Sequence, residues 1–342
     1  MALAAEAGSI RRPARVGGLA LLAAGLVAVL FFSITVGARP ISLGDVWAAL
    51  TAPDPESTTH RIIHELRLPR TLIGLLVGAA LGLAGAILQG ATRNPLADPG
   101  LLGIEAGATL CVVLGIAVFG ITTLAGYVWL AFLGAGIATA MVYVIASMGR
   151  EGATPVKLAL GGAAVTAALG SITSAILITS VDTLDQIRFW QVGALPGRTM
   201  DILWQVAPFL LVGIALALTA GRILDGLSMG DDVARGLGQR VQLSRAFVGL
   251  VAVILAGAAT AACGPIAFVG LTIPHVARAL TGPNYRWILP YSMLLGPILL
   301  LGADIVGRVI APPGELQVGI VTAAIGAPFF IAFVRRRKLA EL

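Results

Sequence analysis

Apolar runs of membrane-spanning length recur along almost the whole chain, and they constrain the fold more than any single motif does. A helix needs about 20 mostly apolar residues to cross roughly 30 Å of hydrocarbon. Within lipid only helices and closed barrels satisfy every backbone group. Ten runs are legible, at residues 16–37, 71–91, 101–119, 124–148, 158–181, 202–220, 247–263, 266–277, 288–303 and 316–334. The eighth is short and bordered by Pro265 and Pro274, so a broken or partly re-entrant helix is expected there. The first follows Arg11, Arg12 and Arg15 as a signal peptide's apolar stretch would, but it exceeds the usual length of about 7–15 residues and further spans follow, so it reads as a retained helix. The expected fold is all-α: one polytopic transmembrane domain over residues 1–342.

Composition supports this reading. Charged residues make up 12% of the chain, against about 25% in soluble domains. The 43 glycines are scattered through Leu, Ala and Val, as in packed membrane helices. Lys and Arg outnumber Asp and Glu 23 to 17, a balance that in a hydrophobic chain points to cytoplasmic loops rather than nucleic acid. With the N-terminus inside, ten spans leave only Arg39, Arg61, Arg67, Arg70, Arg188, Arg198 and Arg308 outside. Both termini are therefore expected on the cytoplasmic side.

Much familiar chemistry is excluded. The chain's two lysines, Lys157 and Lys338, are not followed by Ser or Thr, so no G-x-x-x-x-G-K-[ST] phosphate loop exists and the chain does not hydrolyse ATP by itself. Cys111 and Cys263 lie inside apolar runs and read as small fillers. His60 and His64 share a helix spacing suited to a metal, but one pair beside Glu65 makes no site, and no metal is expected. An ion-coupled carrier needs ionisable groups deep in the bilayer. Here only Glu105, one turn into a span, and Asp304, at a span end, come near. A membrane enzyme needs a nucleophile, paired carboxylates or a metal cluster, and none is visible.

Three polar segments remain. Residues 38–69 and 182–201 are placed outside, the first with an amphipathic stretch at 41–50, the second with Arg188, Phe189 and Trp190 as an interfacial anchor. Residues 221–246 are placed inside and read as two short helices with a glycine break. Asp231 and Asp232 fall where the second begins, favoured by the helix dipole, and Gly238 where it stops. Such a protruding pair is a surface for a soluble partner. Gly74, Gly78 and Gly82 share one face of the second span and let another backbone approach closely.

Five blocks then stand in order along the chain: Arg67-Leu-Pro-Arg-Thr71, Asn94-Pro-Leu-Ala-Asp-Pro-Gly-Leu-Leu-Gly103, Gly270-Leu-Thr-Ile-Pro-His-Val-Ala-Arg278, Ala303-Asp-Ile-Val-Gly-Arg308 and Gly319-Ile-Val-Thr-Ala-Ala-Ile-Gly-Ala-Pro-Phe329. Together they resemble the FecCD-type permeases, membrane subunits of ABC importers for ferric siderophores, haem and cobalamin. The resemblance implies a ten-helix, type II importer subunit of the cytoplasmic membrane. It implies a second permease subunit, identical or paralogous, two ATPase subunits that bind ATP-Mg, and an extracytoplasmic binding protein, with no cofactor in this chain. It places coupling to the ATPase on residues 227–238, with Leu227, Met229, Asp231, Asp232, Ala234, Leu237 and Gly238. It places a cytoplasmic gate at Asn94, Pro95 and Leu96, and binding-protein docking at Arg67, Arg70 and Arg308. Two residues depart from the pattern: Gln317, where a proline is common, and Glu105, where a small polar residue is usual. The block around Arg188, Phe189, Trp190, Gly193 and Arg198 is closer to the ferric-siderophore branch than to the cobalamin branch. Haem or cobalamin import is the alternative, and an ion-coupled secondary transporter the rival class.

Overall fold

The computed structural model describes residues 12–37, 41–148, 154–311 and 314–336. Arg11, Arg39 and Lys338, named above, lie outside the described residues. The described chain is helical throughout. In order come α1 (Arg12–Thr35), α2 (Leu43–Thr51) and α3 (Thr58–Arg61), the last running through a π-helical segment (Ile62–Arg67) into α4 (Leu68–Thr92). A 3₁₀ turn (Pro99–Leu102) leads into α5 (Ile104–Phe119), α6 (Leu124–Ser147) and α7 (Pro155–Thr179). After α8 (Val181–Gln191) and α9 (Met200–Thr219) comes the short pair α10 (Gly221–Ser228) and α11 (Asp231–Gly236). The chain closes with α12 (Val241–Cys263), α13 (Val269–Thr281), α14 (Tyr285–Ile310) and α15 (Val318–Arg336).

Each of the ten apolar runs lies on one of these helices, and seven helical stretches among the described residues are long and apolar enough to cross a membrane. The chain is an integral membrane protein. Helices α5 and α15 are apolar but shorter. The eighth run is α13, only 13 residues, or about 20 Å at 1.5 Å per residue, too short for a full span. It starts after Phe268, whose φ of 70° is left-handed and whose side chain packs on Gly326 of α15. Two helices outrun their apolar runs. Helix α12 begins at Val241, so Arg245 lies within it, and α14 continues through Asp304 and Arg308. Polar residues extend these ends without breaking them because their side chains find partners.

Local signals set the boundaries. Ser42, Ser57, Thr123, Thr154 and Ser180 each accept a hydrogen bond from a first-turn N–H, relieving donors that a helix start leaves unpaired. Pro155 sits in the first turn of α7, where the missing N–H costs nothing, and Pro69 follows directly on the π-helical segment. Gly230, at φ 110°, makes the break between α10 and α11.

Helix α4 is the axis. In its most apolar stretch 83% of residues are buried within the chain, against 6% for α1 at the periphery. Its glycine face explains how. A side chain on Gly78 would strike the Pro297 backbone at 2.5 Å, and one on Gly82 the Ser292 carbonyl at 2.5 Å, both on α14; Gly74 faces Leu301 and Gly85 faces the Gly270 carbonyl. Without side chains there, α4 and α14 meet backbone to backbone and exchange dispersion contacts along their length. Outside the bundle, α2 and the π-helical segment form a satellite core of Ile41, Val46, Ala49 and Ile63. His64 Nε2 donates to the Ala49 carbonyl, 2.8 Å away, and His60 accepts from the Asp54 N–H at 2.9 Å, so both histidines hold this loop.

Candidate functional site

Three places gather the residues singled out in the sequence. At the end of the bundle where α1 and α14 finish, Arg67, Arg70 and Arg308 converge although they come from the π-helical segment, α4 and α14. Arg70 and Arg308 share one partner, Asp304, which is fully buried. Its Oδ1 accepts from Arg70 Nη2 at 2.7 Å, and its Oδ2 lies 2.9 Å from Arg308 Nη2. Glu315 adds a second carboxylate, 2.8 Å from Arg70 Nη1. Arg67 donates to the carbonyls of Ile34 and Thr35, and Arg308 to those of Ser33 and Val36, at 2.6–2.9 Å. These carbonyls belong to the last turn of α1, which no helical N–H can satisfy and where the dipole is negative. The C-terminal end of the peripheral α1 is thus fastened by two guanidinium groups, in addition to its packing on α14 and on the satellite core. All three arginines are buried side chains held within the chain.

On the other side, residues 93–98 form the loop between α4 and the 3₁₀ turn. Arg93, at φ 52°, stops α4. Asn94 Oδ1 accepts from the Leu96 N–H at 2.9 Å, closing a tight turn, and Leu96 is exposed. The turn is pinned from α13, where the buried His275 Nε2 lies 2.8 Å from the Pro95 carbonyl. Gly270 of α13 brings its backbone against Pro99 and Asp98. Burial pushes the Asp98 carboxyl above the usual carboxylate range, with the Gly100 N–H opposing the shift. Sequence reasoning had assigned His275 no contact; the only signal was a histidine inside an otherwise apolar block.

Beside this loop stands the α10–α11 pair. Leu227 and Ala234 point into the chain's own core, whereas Met229, Val233 and Leu237 project with 56%, 46% and 62% exposure. Of the residues assigned to coupling, Leu227 and Ala234 therefore fix the pair to the bundle and present nothing outward; Val233 joins the outward set. Asp231 accepts from Arg245 Nη2 at 2.8 Å and lies 3.7 Å from Arg93, joining α11 to α12 and to the end of α4. Asp232 is solvated, touching Arg235 at 3.0 Å. Asp225 Oδ1 accepts the Tyr285 N–H at 2.7 Å, which capped α14 from α10; burial pushes this carboxyl upward, with that N–H and Arg286 opposing. Gly238, at φ 81°, ends the pair. The result is a rigid knob with an apolar tip.

The 182–201 segment folds as α8 and a loop. Phe189 is exposed as an anchor would be, but Trp190 is buried. Arg198 is buried too, donating to the Ala194 carbonyl at 3.1 Å; burial holds its guanidinium below the ordinary range, with Cys263 opposing. Glu105, in the first turn of α5, stands close to Asp98 and Gly100. Gln317 precedes α15, its carbonyl accepting from the Ile320 N–H at 3.0 Å. No cluster of three or more His, Cys, Asp or Glu suited to a metal occurs among the described residues.

Known proteins share this arrangement. The ferric enterobactin transport system permease protein FepD of Escherichia coli (strain K12) is 46% identical over 330 residues, covering 96% of this chain and 97% of its own length. The Fe(3+)-citrate import system permease protein YfmD of Bacillus subtilis (strain 168) is 45% identical over 306 residues, 90% of each chain. A solved inward-facing conformation of a transporter described as ABC, metal-chelate type, superposes with a TM-score of 0.80 at 29% identity, over 95% of this chain and 99% of that one. The FecCD transport family model matches residues 25–336, and the chain belongs to that family, a membrane permease and not an enzyme.

Proposed function

We propose that this chain is the membrane-spanning subunit through which an ATP-driven importer moves a ferric siderophore across the cytoplasmic membrane, with both termini inside. The observation that carries the reading is the knob at α10–α11: three apolar side chains exposed on a segment anchored to α4, α12 and α14, in a chain with no phosphate loop of its own. A partner that binds ATP-Mg would seat on Met229, Val233 and Leu237, and its motion would pass through Asp225 and Asp231 to the bundle. Nucleotide binding then biases two packings of the helices, which is all alternating access requires. The loop at Asn94, Pro95 and Leu96 forms the inner gate, with His275 setting its resting position.

A second permease subunit would cover the apolar faces left open on α7, at Leu160 and Ile172, and on α15, at Ile325 and Ile331. An extracytoplasmic binding protein would deliver the chelate to the outer end. Because Arg67, Arg70 and Arg308 are buried, its carboxylates would reach them by taking the place of Glu315, whose side chain keeps 28% exposure above Arg70. The cargo assignment follows the iron chelates named for the relatives. The test is uptake of a ferric siderophore into proteoliposomes holding the permease, its ATPase and its binding protein. Uptake with ATP and none under an ion gradient alone supports the reading; uptake driven by the gradient without nucleotide overturns it.

A further inference from the structure

Helices α6 and α12 are in contact near Gly257, where an added Cβ would lie 3.6 Å from that of Ala135. Toward Ser147 and Val241 they part, and a cavity of about 740 Å³ fills the wedge. Its size is that of a site for a sizeable organic ligand, roughly 300–1,000 Å³. Two glycines open onto it: a Cβ on Gly136 of α6, or on Gly249 of α12, would meet nothing within 4 Å. The inner walls are aliphatic, with Leu88, Leu102, Leu250 and Val253. The mouth is basic. Arg235 and Arg245 line it, and Arg245 keeps its Nε out of solvent with no acceptor, its Nη2 alone being used by Asp231.

An apolar wedge closed by guanidinium groups matches an amphiphile with an anionic head, and basic pockets between spans on the cytoplasmic side take acidic lipid headgroups. We propose that the wedge binds one anionic phospholipid of the inner leaflet, its acyl chain between Gly136 and Gly249 and its phosphate on Arg245 Nε and Arg235. The leaflet rests on the topology proposed above; the cavity and its charge do not. A lipid there would bridge α6, α12 and α11, so its occupancy would stiffen the base of the coupling knob.

The test uses the permease assembled with its ATPase, delipidated and titrated with phosphatidylglycerol or phosphatidylcholine, read by native mass spectrometry and thermal unfolding. Wild type is expected to retain and be stabilised by phosphatidylglycerol preferentially. Gly136→Leu with Gly249→Leu, which fill open space, should abolish that response without lowering the lipid-free melting temperature. Arg245→Gln should weaken phosphatidylglycerol binding about fivefold and leave phosphatidylcholine unchanged. An unaltered lipid response in the doubly filled variant overturns the proposal, as does binding seen only when the ATPase is removed, since the wedge is then a docking surface. Labelling of Ser147→Cys from the outside would overturn the topology alone.

Discussion

The two ends of this bundle invert the usual distribution of polarity. At the end where α1 and α14 finish, three arginines and Asp304 are buried; at the opposite end Met229, Val233 and Leu237 stand in the open. A charge withdrawn from water is tolerated only with close partners, and once paired it resists rearrangement, because removing one member strands another. An exposed apolar side chain holds nothing together by itself and gains only when something covers it. The outer cluster is therefore built to keep the α1, α4 and α14 ends in one place, and the knob is built to be occupied. Mutations should separate the two by what they damage.

The largest loss is expected at Asp304. Asp304→Ala would leave Arg70 with Glu315 alone and deprive Arg308 of its carboxylate, and breaking a buried ion pair from one side costs about 3–5 kcal/mol. Thermal unfolding in detergent should drop sharply, with α1 released first as increased proteolysis near residue 36. A melting temperature equal to wild type would show that the cluster fastens nothing.

Next comes the glycine face. Gly78→Leu must displace the Pro297 backbone, which cannot rotate aside as a side chain could, so the cost should sit at the upper end of the roughly 1–3 kcal/mol typical of overpacking. Gly136→Leu, facing open space, is the matched control. Equal behaviour of the two variants would remove the distinction between a packed and an open glycine.

A paired substitution sharpens the contrast at the knob. Ala234 is fully buried, so Ala234→Asp forces a carboxylate into the core and should destabilise the chain itself. Leu237 is 62% exposed, and Leu237→Asp should leave unfolding within about 0.5 kcal/mol while abolishing copurification of the ATPase. If Leu237→Asp still copurifies its ATPase, the knob is only a connector.

These pairs mark what could be read from the residues alone. Apolar length located all ten helices, and the Gly230 break with its following acids located α10 and α11, because these are local signals. The glycine face was legible as a face, but not that α14 would fill it. The contact of Arg70 with Asp304 spans 234 positions, and that of His275 with Pro95 spans 180; no periodicity encodes such partners. Within 227–238, hydropathy grouped Leu227 with Met229, although packing turned one inward and the other outward. The wedge between α6 and α12 depends on how far the two helices diverge, which no local pattern encodes.

The smallest effect on the fold, and the finest test of the outer end, belongs to Glu315. Its bond to Arg70 is short, at 2.8 Å, but the carboxylate is part-exposed, and pairs open to water contribute about 0–1 kcal/mol. Glu315→Gln should therefore barely move the melting temperature. If the binding protein reaches Arg70 by supplanting this carboxylate, removing the internal competitor should favour docking. Rim charges act mainly on the rate and orientation of encounter, so the gain should appear in the association rate at low ionic strength and fade as salt screens it. Arg70→Gln should do the opposite and also cost stability, because it leaves the buried Asp304 with Arg308 alone. A Glu315→Gln variant whose association rate and salt dependence match wild type would mean that the arginine cluster is a fastening alone and that the binding protein docks elsewhere on the outer face.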